Sequence, residues 1–158
     1  MSLRYVIDGY NVINHSKLRD KIGKAQDCRL ALLELIRLDK LCGSPRNEVV
    51  VVFDGWPPPS TLNYAYPNFK VIFSKDICAD RRIKDILEAS GGLKNTVVVS
   101  NDKEIVFYAR SCRAKTENVE EFLSRSASLT AKPLGAAPLT YAQIRDINEE
   151  LRKRWGLP

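Results

Sequence analysis

The sequence predicts an α/β fold built around a parallel sheet. Three observations carry this. Short β-branched runs alternate with stretches of helical periodicity. One run, Glu48–Phe53, is apolar at nearly every position. Three runs lead into aspartates, directly in "VIDGYN" and "VVVVFDGW" and after a Ser-Asn pair in "VVVSND". Strands that alternate with helices join by crossovers, which puts the strands parallel in one sheet.

The elements follow in order. Leu3–Ile7 reads as a first strand. From Gln26 to Leu41 the apolar positions Leu30, Leu32, Leu33, Leu35, Ile36, Leu38 and Leu41 predict a heavily buried helix. Arg29, Glu34, Arg37 and Lys40 are expected on its outer side, and Gly43-Ser44-Pro45 to stop it. Glu48–Phe53 is too short for a helix and too uniformly apolar for a one-sided antiparallel strand, so it suits a parallel strand covered on both faces. "WPPPSTLNYAYPNF" reads as an exposed loop, because its prolines break any ladder or helix.

Lys70–Phe73 is a third strand. Ala79–Ala89 follows as a helix with Ala79, Ile83, Ile86 and Leu87 on one face, ended by Gly91-Gly92. Thr96–Val99 is a fourth strand and Asp102–Cys112 a helix. A short strand near Ala114 and a helix over Glu117–Arg125 complete a domain expected to span residues 1–128. A linker at residues 129–139, around "TAKPLGAAP", leads to a C-terminal amphipathic helix in residues 140–158 carrying Ile144, Ile147, Leu151 and Trp155.

Composition narrows the function. The chain has 158 residues, 44% of them hydrophobic and 28% charged, enough for one substantial core and inconsistent with a disordered chain. No apolar run approaches the roughly 20 residues of a membrane span, and no small-residue cleavage site follows the N-terminus. A cytoplasmic protein is expected, with no membrane partner. Cys28, Cys42, Cys78 and Cys112 form no CxxC pair and His15 is the only histidine, which sets structural zinc aside. The net charge of +6 suits an anionic partner and makes any cluster of acids stand against the trend.

Such a cluster is what the strand ends predict. In an open α/β sheet, ligands bind beyond the carboxyl ends of the strands. Asp8, Asp54, Asp80 and Asp102 all fall at such ends or at the start of the next helix. Taken singly, Asp54, Asp80 and Asp102 read as ordinary turn or helix-capping residues, and Asp8 less so, because "DGYN" follows directly on an apolar strand and puts a carboxylate beside an amide. Their recurrence points to a site. Converging carboxylates take up a proton or bind a cation, and oxygen-only ligands suit Mg²⁺ or Mn²⁺. Other chemistries lack their motifs. There is no GxxxxGK[ST] or GxGxxG, so no nucleotide cofactor is expected. An aspartyl phosphotransferase would want a second acid where Tyr10 stands, and no GxSxG accompanies His15.

The segments "VIDGYNVI", "VVFDG", "VIFS…CADRRIKDIL" and "VVVSNDKEI" resemble the NYN branch of PIN-like nucleases, and more narrowly the bacterial YacP family, which includes a ribosome-associated mRNA endonuclease. The resemblance covers roughly Leu3 to Arg125. It implies a PIN-like three-layer α/β/α sandwich with a central, mainly parallel sheet, dependence on a divalent metal, and cleavage of single-stranded RNA, including mRNA on the ribosome. The matching acids are Asp8, Asp80 and Asp102, with Asn11 and Ser100 beside them. On this reading Asp8, Asp80 and Asp102 hold Mg²⁺ or Mn²⁺, Asn11 orients Asp8 or a water, and Ser100 supports them. Asp54 stays outside the catalytic set, since "FDG" equally reads as a turn.

One departure stands out. The family helix commonly runs "ADE" where this chain has "ADR". Arg81 and Arg82 can hold a scissile phosphate, or Arg81 can mark a lost ligand. RNA contacts are also expected from Lys17 and Lys84, and from Tyr64 and Tyr66 by stacking on unpaired bases. The rival to a nuclease is a non-catalytic RNA- or ribosome-binding module that kept the fold.

Overall fold

The computed structural model describes residues 2–22, 27–57, 68–90, 93–126, 129 and 149–156. Five strands, β1 (Arg4–Asp8), β2 (Glu48–Phe53), β3 (Phe69–Phe73), β4 (Thr96–Val99) and β5 (Lys115–Glu117), form one sheet in the order β3-β2-β1-β4-β5. All four pairings are parallel.

Alternation along the strands builds the layers. In β1, β2 and β4, Tyr5, Ile7, Val49, Val51, Phe53, Val97 and Val99 enter one core, while Val6, Val50, Val52 and Val98 enter another. The first core is closed by α1 (Gly9–Ile13), α2 (Ser16–Ile22), α3 (Cys28–Leu38) and α6 (Val119–Ser124), through residues such as Val12, Leu18, Leu32, Leu33, Ile36 and Phe122. The second is closed by α4 (Ala79–Ala89) and α5 (Lys103–Ser111), through Ala79, Ile83, Leu87, Ile105 and Ala109. Helices on both faces of a parallel sheet make the three-layer α/β/α sandwich, and they explain why β2 is valine-rich without alternation of polarity. Each fully buried Val, Leu, Ile or Phe among them contributes roughly 1.5–3 kcal/mol relative to exposure.

The elements correct several boundaries. α3 begins at Cys28, because Asp27 caps it by accepting from the Arg29 and Leu30 N–H groups at 3.0 and 3.4 Å. It ends at Leu38, ahead of the expected Gly43 stop, with Lys40 in the left-handed region (φ 50°). Glu34, expected to face outward, is buried; Arg37 donates to its Oε2 at 2.9 Å and balances the charge. Leu38, expected inside, is 39% exposed. The short helices α1 and α2 fall in the stretch between the first strand and the long helix, to which the sequence reading assigns no element.

Part of the expected exposed loop, residues 58–67, lies outside the described residues, as do the glycines 91–92 and most of the expected linker and C-terminal helix. Residues 149–154 are helical, and Leu129 and Trp155 pack against the first core. Among the described residues no helix is long and apolar enough to cross a membrane.

Candidate active site

The strand order reverses at β1. The chain moves from β1 to β2 and β3 on one side, then returns to place β4 and β5 on the other. A crevice opens at the carboxyl ends of strands flanking such a switch point. Asp8 is the last residue of β1, and Ser100-Asn101-Asp102 follows directly on β4.

"DGYN" explains itself here. Asp8 is the N-cap of α1 yet makes no side-chain cap bond, so its carboxylate turns to the crevice instead. Gly9 must be glycine for space. A Cβ there would lie 2.4 Å from Cε1 of Phe53 and 3.1 Å from the Val52 carbonyl oxygen. Asn11 Oδ1 accepts the Asn101 N–H at 2.8 Å.

Each residue of "SND" is likewise pinned. Ser100, fully buried, accepts the Asp102 N–H at 3.0 Å and donates its hydroxyl to Asp8 Oδ2 at 3.3 Å. Asn101 Oδ1 accepts the Val119 N–H at 2.9 Å. Asp102 caps α5, its Oδ1 accepting from Glu104 and Ile105 N–H at 2.9 and 3.3 Å. The ordinary capping role of Asp102 is therefore real, and it is carried by one of the two carboxylate oxygens.

Asp80 sits in the first turn of α4 without capping it. That helix start is held by Asp54, whose Oδ1 accepts the Ala79 N–H at 3.2 Å and the Ser74 hydroxyl at 2.9 Å. The Ser74 hydroxyl oxygen in turn accepts the Gly55 N–H at 2.9 Å, and Gly55 has φ 94°. "FDG" is thus a turn that fixes the start of α4.

The crevice has a volume of about 560 Å³ and is lined by Asp8, Asn11, Asp54, Asp80, Asn101 and Asp102, with Tyr10, His15 and Cys78 among its walls. Carboxylate oxygens of Asp80, Asp102 and Glu104 lie within 4.8 Å of one another. Asp8 borders the same crevice and is nearly buried. Burial, then the charge of Asp80, pushes the Asp8 carboxyl up to about 6; the Ser100 hydroxyl and the Asn11 backbone oppose this, and Asp102 adds to it. Asp80 is also raised, by burial and then by Asp102 and Glu104, with Lys84 opposing. The crevice holds more negative charge than its surroundings balance.

A groove of similar size, about 540 Å³, at the amino-terminal ends of the strands behaves differently. There Arg4 bonds Glu48 and Ser90, both at 2.9 Å, so its acid is neutralised.

The crevice thus brings together Asp8, Asn11, Asp80 and Asp102, with Ser100 beneath them. The expected RNA contacts are more dispersed. Lys84 stands 3.9 Å from Glu104 and 5.6 Å over the Tyr108 ring, at the rim of the acidic group. Lys17 pairs with Glu120 at 3.5 Å. Arg81 pairs with Asp85 at 3.2 Å, and Arg82 Nε is buried with no hydrogen-bond partner among the described residues; neither arginine is among the described residues that line the crevice. Tyr64 and Tyr66 lie outside the described residues. Glu104 and Asn101 are the residues that the sequence reading passes over. Their signal was "SNDKE" itself, since an acid two positions after a helix cap stays in the same first turn.

The family model of the YacP-like NYN domain matches residues 5–152. Among solved structures, Rae1 (YacP) from Bacillus subtilis superposes with a TM-score of 0.61 at 21% identity, covering 97% of this chain and 81% of that one. A tryptophan-to-leucine variant of the same protein gives 0.59 at 23% identity, covering 97% and 83%. At these identities the likeness demonstrates a common fold. No curated protein matches significantly. With the family model spanning nearly the whole sheet and its crevice, the chain belongs to the YacP-like NYN domain family, a branch of the PIN-like RNA nucleases.

Proposed function

We propose that the protein is a divalent-metal-dependent endoribonuclease acting on single-stranded RNA. The observation that carries this is the unbalanced group of carboxylates, Asp8, Asp80, Asp102 and Glu104, at the switch point of a protein whose net charge is +6. The donor set fits Mg²⁺ or Mn²⁺. It is all oxygen, three of its members lie within 4.8 Å, and the raised Asp8 and Asp80 carboxyls are those a cation would relieve.

A divalent ion held there supplies positive charge for the scissile phosphate and acidifies a water for in-line attack. The chain's own residues prepare that chemistry. Ser100 aims Asp8 through Oδ2, Asn11 fixes the loop before Asp102, and Asp54 sets the start of the helix that carries Asp80. Asp8, Asp80 and Asp102 are the proposed ligands, and Glu104 joins them. Ribosome-bound mRNA is the substrate the family resemblance implies, and the positive net charge suits so anionic a partner.

A second reading rests on one residue. Arg81 stands where an acid is common in the family, and its charge is spent on Asp85. This favours a non-catalytic binder. Incubating purified protein with single-stranded RNA and Mg²⁺ or Mn²⁺ separates the two. Cleavage that is lost in Asp8→Asn and in EDTA is expected. An inert wild type that gains ion-induced stabilisation on Arg81→Glu would instead establish the binder.

A further inference from the structure

α5 carries a second surface that the carboxylates do not use. Its sequence, "KEIVFYARS", turns Ile105 and Ala109 into the second core and leaves Lys103, Phe107 and Arg110 on the outer side, at the spacing that lines one helix face. Phe107 is 77% exposed, the most exposed large hydrophobic among the described residues. Tyr108, next to it in sequence, is by contrast engaged, donating to Glu88 at 2.6 Å beneath Lys84.

Phe107 lies on a shelf of about 410 Å³, together with Lys103, Val106, Arg110, Asn101 and Asn118. The shelf's described lining has two cations and no acid. Among the described residues neither Lys103 nor Arg110 forms an ion pair; Arg110 Nε donates to Thr116 Oγ1 at 3.1 Å. Asn101 borders both the shelf and the acidic crevice, so the two adjoin. An aromatic ring between two cations, next to a crevice of carboxylates, has the two features single-stranded nucleic acid needs: a platform for a base and charge for its phosphates.

We propose that this shelf is a base-stacking subsite for single-stranded RNA, with an unpaired base on Phe107 and the flanking phosphates on Lys103 and Arg110. The inference rests on the nuclease reading of the adjoining crevice. It assigns the shelf to nucleotides just outside the reacting phosphate, and it selects unpaired strands because a base in a duplex cannot present its face to the ring.

The test uses the full chain, fluorescently labelled oligoadenylate and oligouridylate, and a matching duplex. Binding is read by anisotropy in EDTA at low salt, and cleavage separately with Mn²⁺. Phe107→Ala should melt as the wild type does, since the ring is exposed, yet bind oligoadenylate about tenfold more weakly. Phe107→Trp should bind at least as well as wild type, and duplex binding should not depend on residue 107. Lys103→Ala should lower the salt slope by about 0.7. A wild type that ignores single strands, or a Phe107→Ala protein with wild-type affinity for them, overturns the shelf; in the latter case intact cleavage leaves the nuclease standing. Phe107-dependent binding without cleavage does the reverse.

Discussion

The Ser100 hydroxyl donates to Asp8 Oδ2 at 3.3 Å, joining residues 92 positions apart, while its oxygen accepts the Asp102 N–H at 3.0 Å. One buried atom thereby sets both a strand-end carboxylate and the start of α5. Ser100→Ala leaves the Asp102 N–H and one Asp8 oxygen short of a partner, at a cost of roughly 1–3 kcal/mol. Denaturant unfolding should read that loss. Cleavage should fall by more than the stability change explains, and rescue by Ser100→Thr would be partial, since the extra methyl has no room in a fully buried site.

Asp8 gives the protein a pH dependence of definite sign. Its carboxyl is raised to about 6 in the fold from an ordinary value of 3.8. The folded state therefore holds a proton between these values that the unfolded state has lost. The contribution is fully present below about pH 3.8 and is lost as pH rises through about 6, up to roughly 3 kcal/mol in all. In EDTA, Asp8→Asn should track wild type at low pH and exceed it in stability at pH 7. Equal stability of the two proteins across the range would remove the strain assigned to the crevice.

Divalent ions should reverse that loss at neutral pH. Mg²⁺ or Mn²⁺ should raise the melting temperature of wild type, with stabilisation of about 2.7 kcal/mol at a hundredfold excess over the dissociation constant, and EDTA should undo it. Glu104→Gln should weaken the effect, because its carboxylate lies within 4.8 Å of those of Asp80 and Asp102. A full ion effect in Glu104→Gln together with none in Asp8→Asn would move the ion toward β1 and away from the α5 start.

Gly9→Ala should destabilise the protein despite the better helix propensity of alanine. The new methyl would sit 2.4 Å from the Phe53 ring, which is fully buried and packed by Tyr10 and Phe73 at centroid distances of 5.4 and 5.8 Å. Overpacking of this kind costs about 1–3 kcal/mol or more. Phe53→Leu in the same chain should recover part of it, which a double-mutant cycle would measure.

Much of this was legible in the sequence because it was carried by uniform runs. Glu48–Phe53, Ala79–Ala89 and Thr96–Val99 were predicted with the boundaries observed. Asp8, Asp80 and Asp102 were placed at strand ends or helix starts by position alone. What escaped was tertiary in origin. The two short helices after β1 have too few residues for periodicity to register. Glu34 reads as a solvent-facing acid until Arg37 folds over it. Arg81 and Arg82 read either as phosphate ligands or as the mark of a lost metal ligand, and their surroundings, Asp85 beside Arg81 and a buried Nε on Arg82, are set by packing that the sequence does not display. Asp54 could be a turn residue or a ligand on sequence grounds, and only its bonds to Ser74 and Ala79 reveal it as the residue that seats α4.

The sheet order has a consequence for how the molecule comes into being. β1 comes first in chain order among the strands of the sheet and lies in its middle, but its neighbour β4 begins at Thr96, and Arg4 pairs with Thr96. Such distant pairing forms late, after the loop-closure entropy of the intervening chain has been overcome. No partial chain that stops before Thr96 can hold Asp8 against Ser100 or Asp102. Until residues 96–102 are in place the proposed nuclease therefore has no assembled crevice, and the carboxylates come together only when the second half of the chain docks against β1.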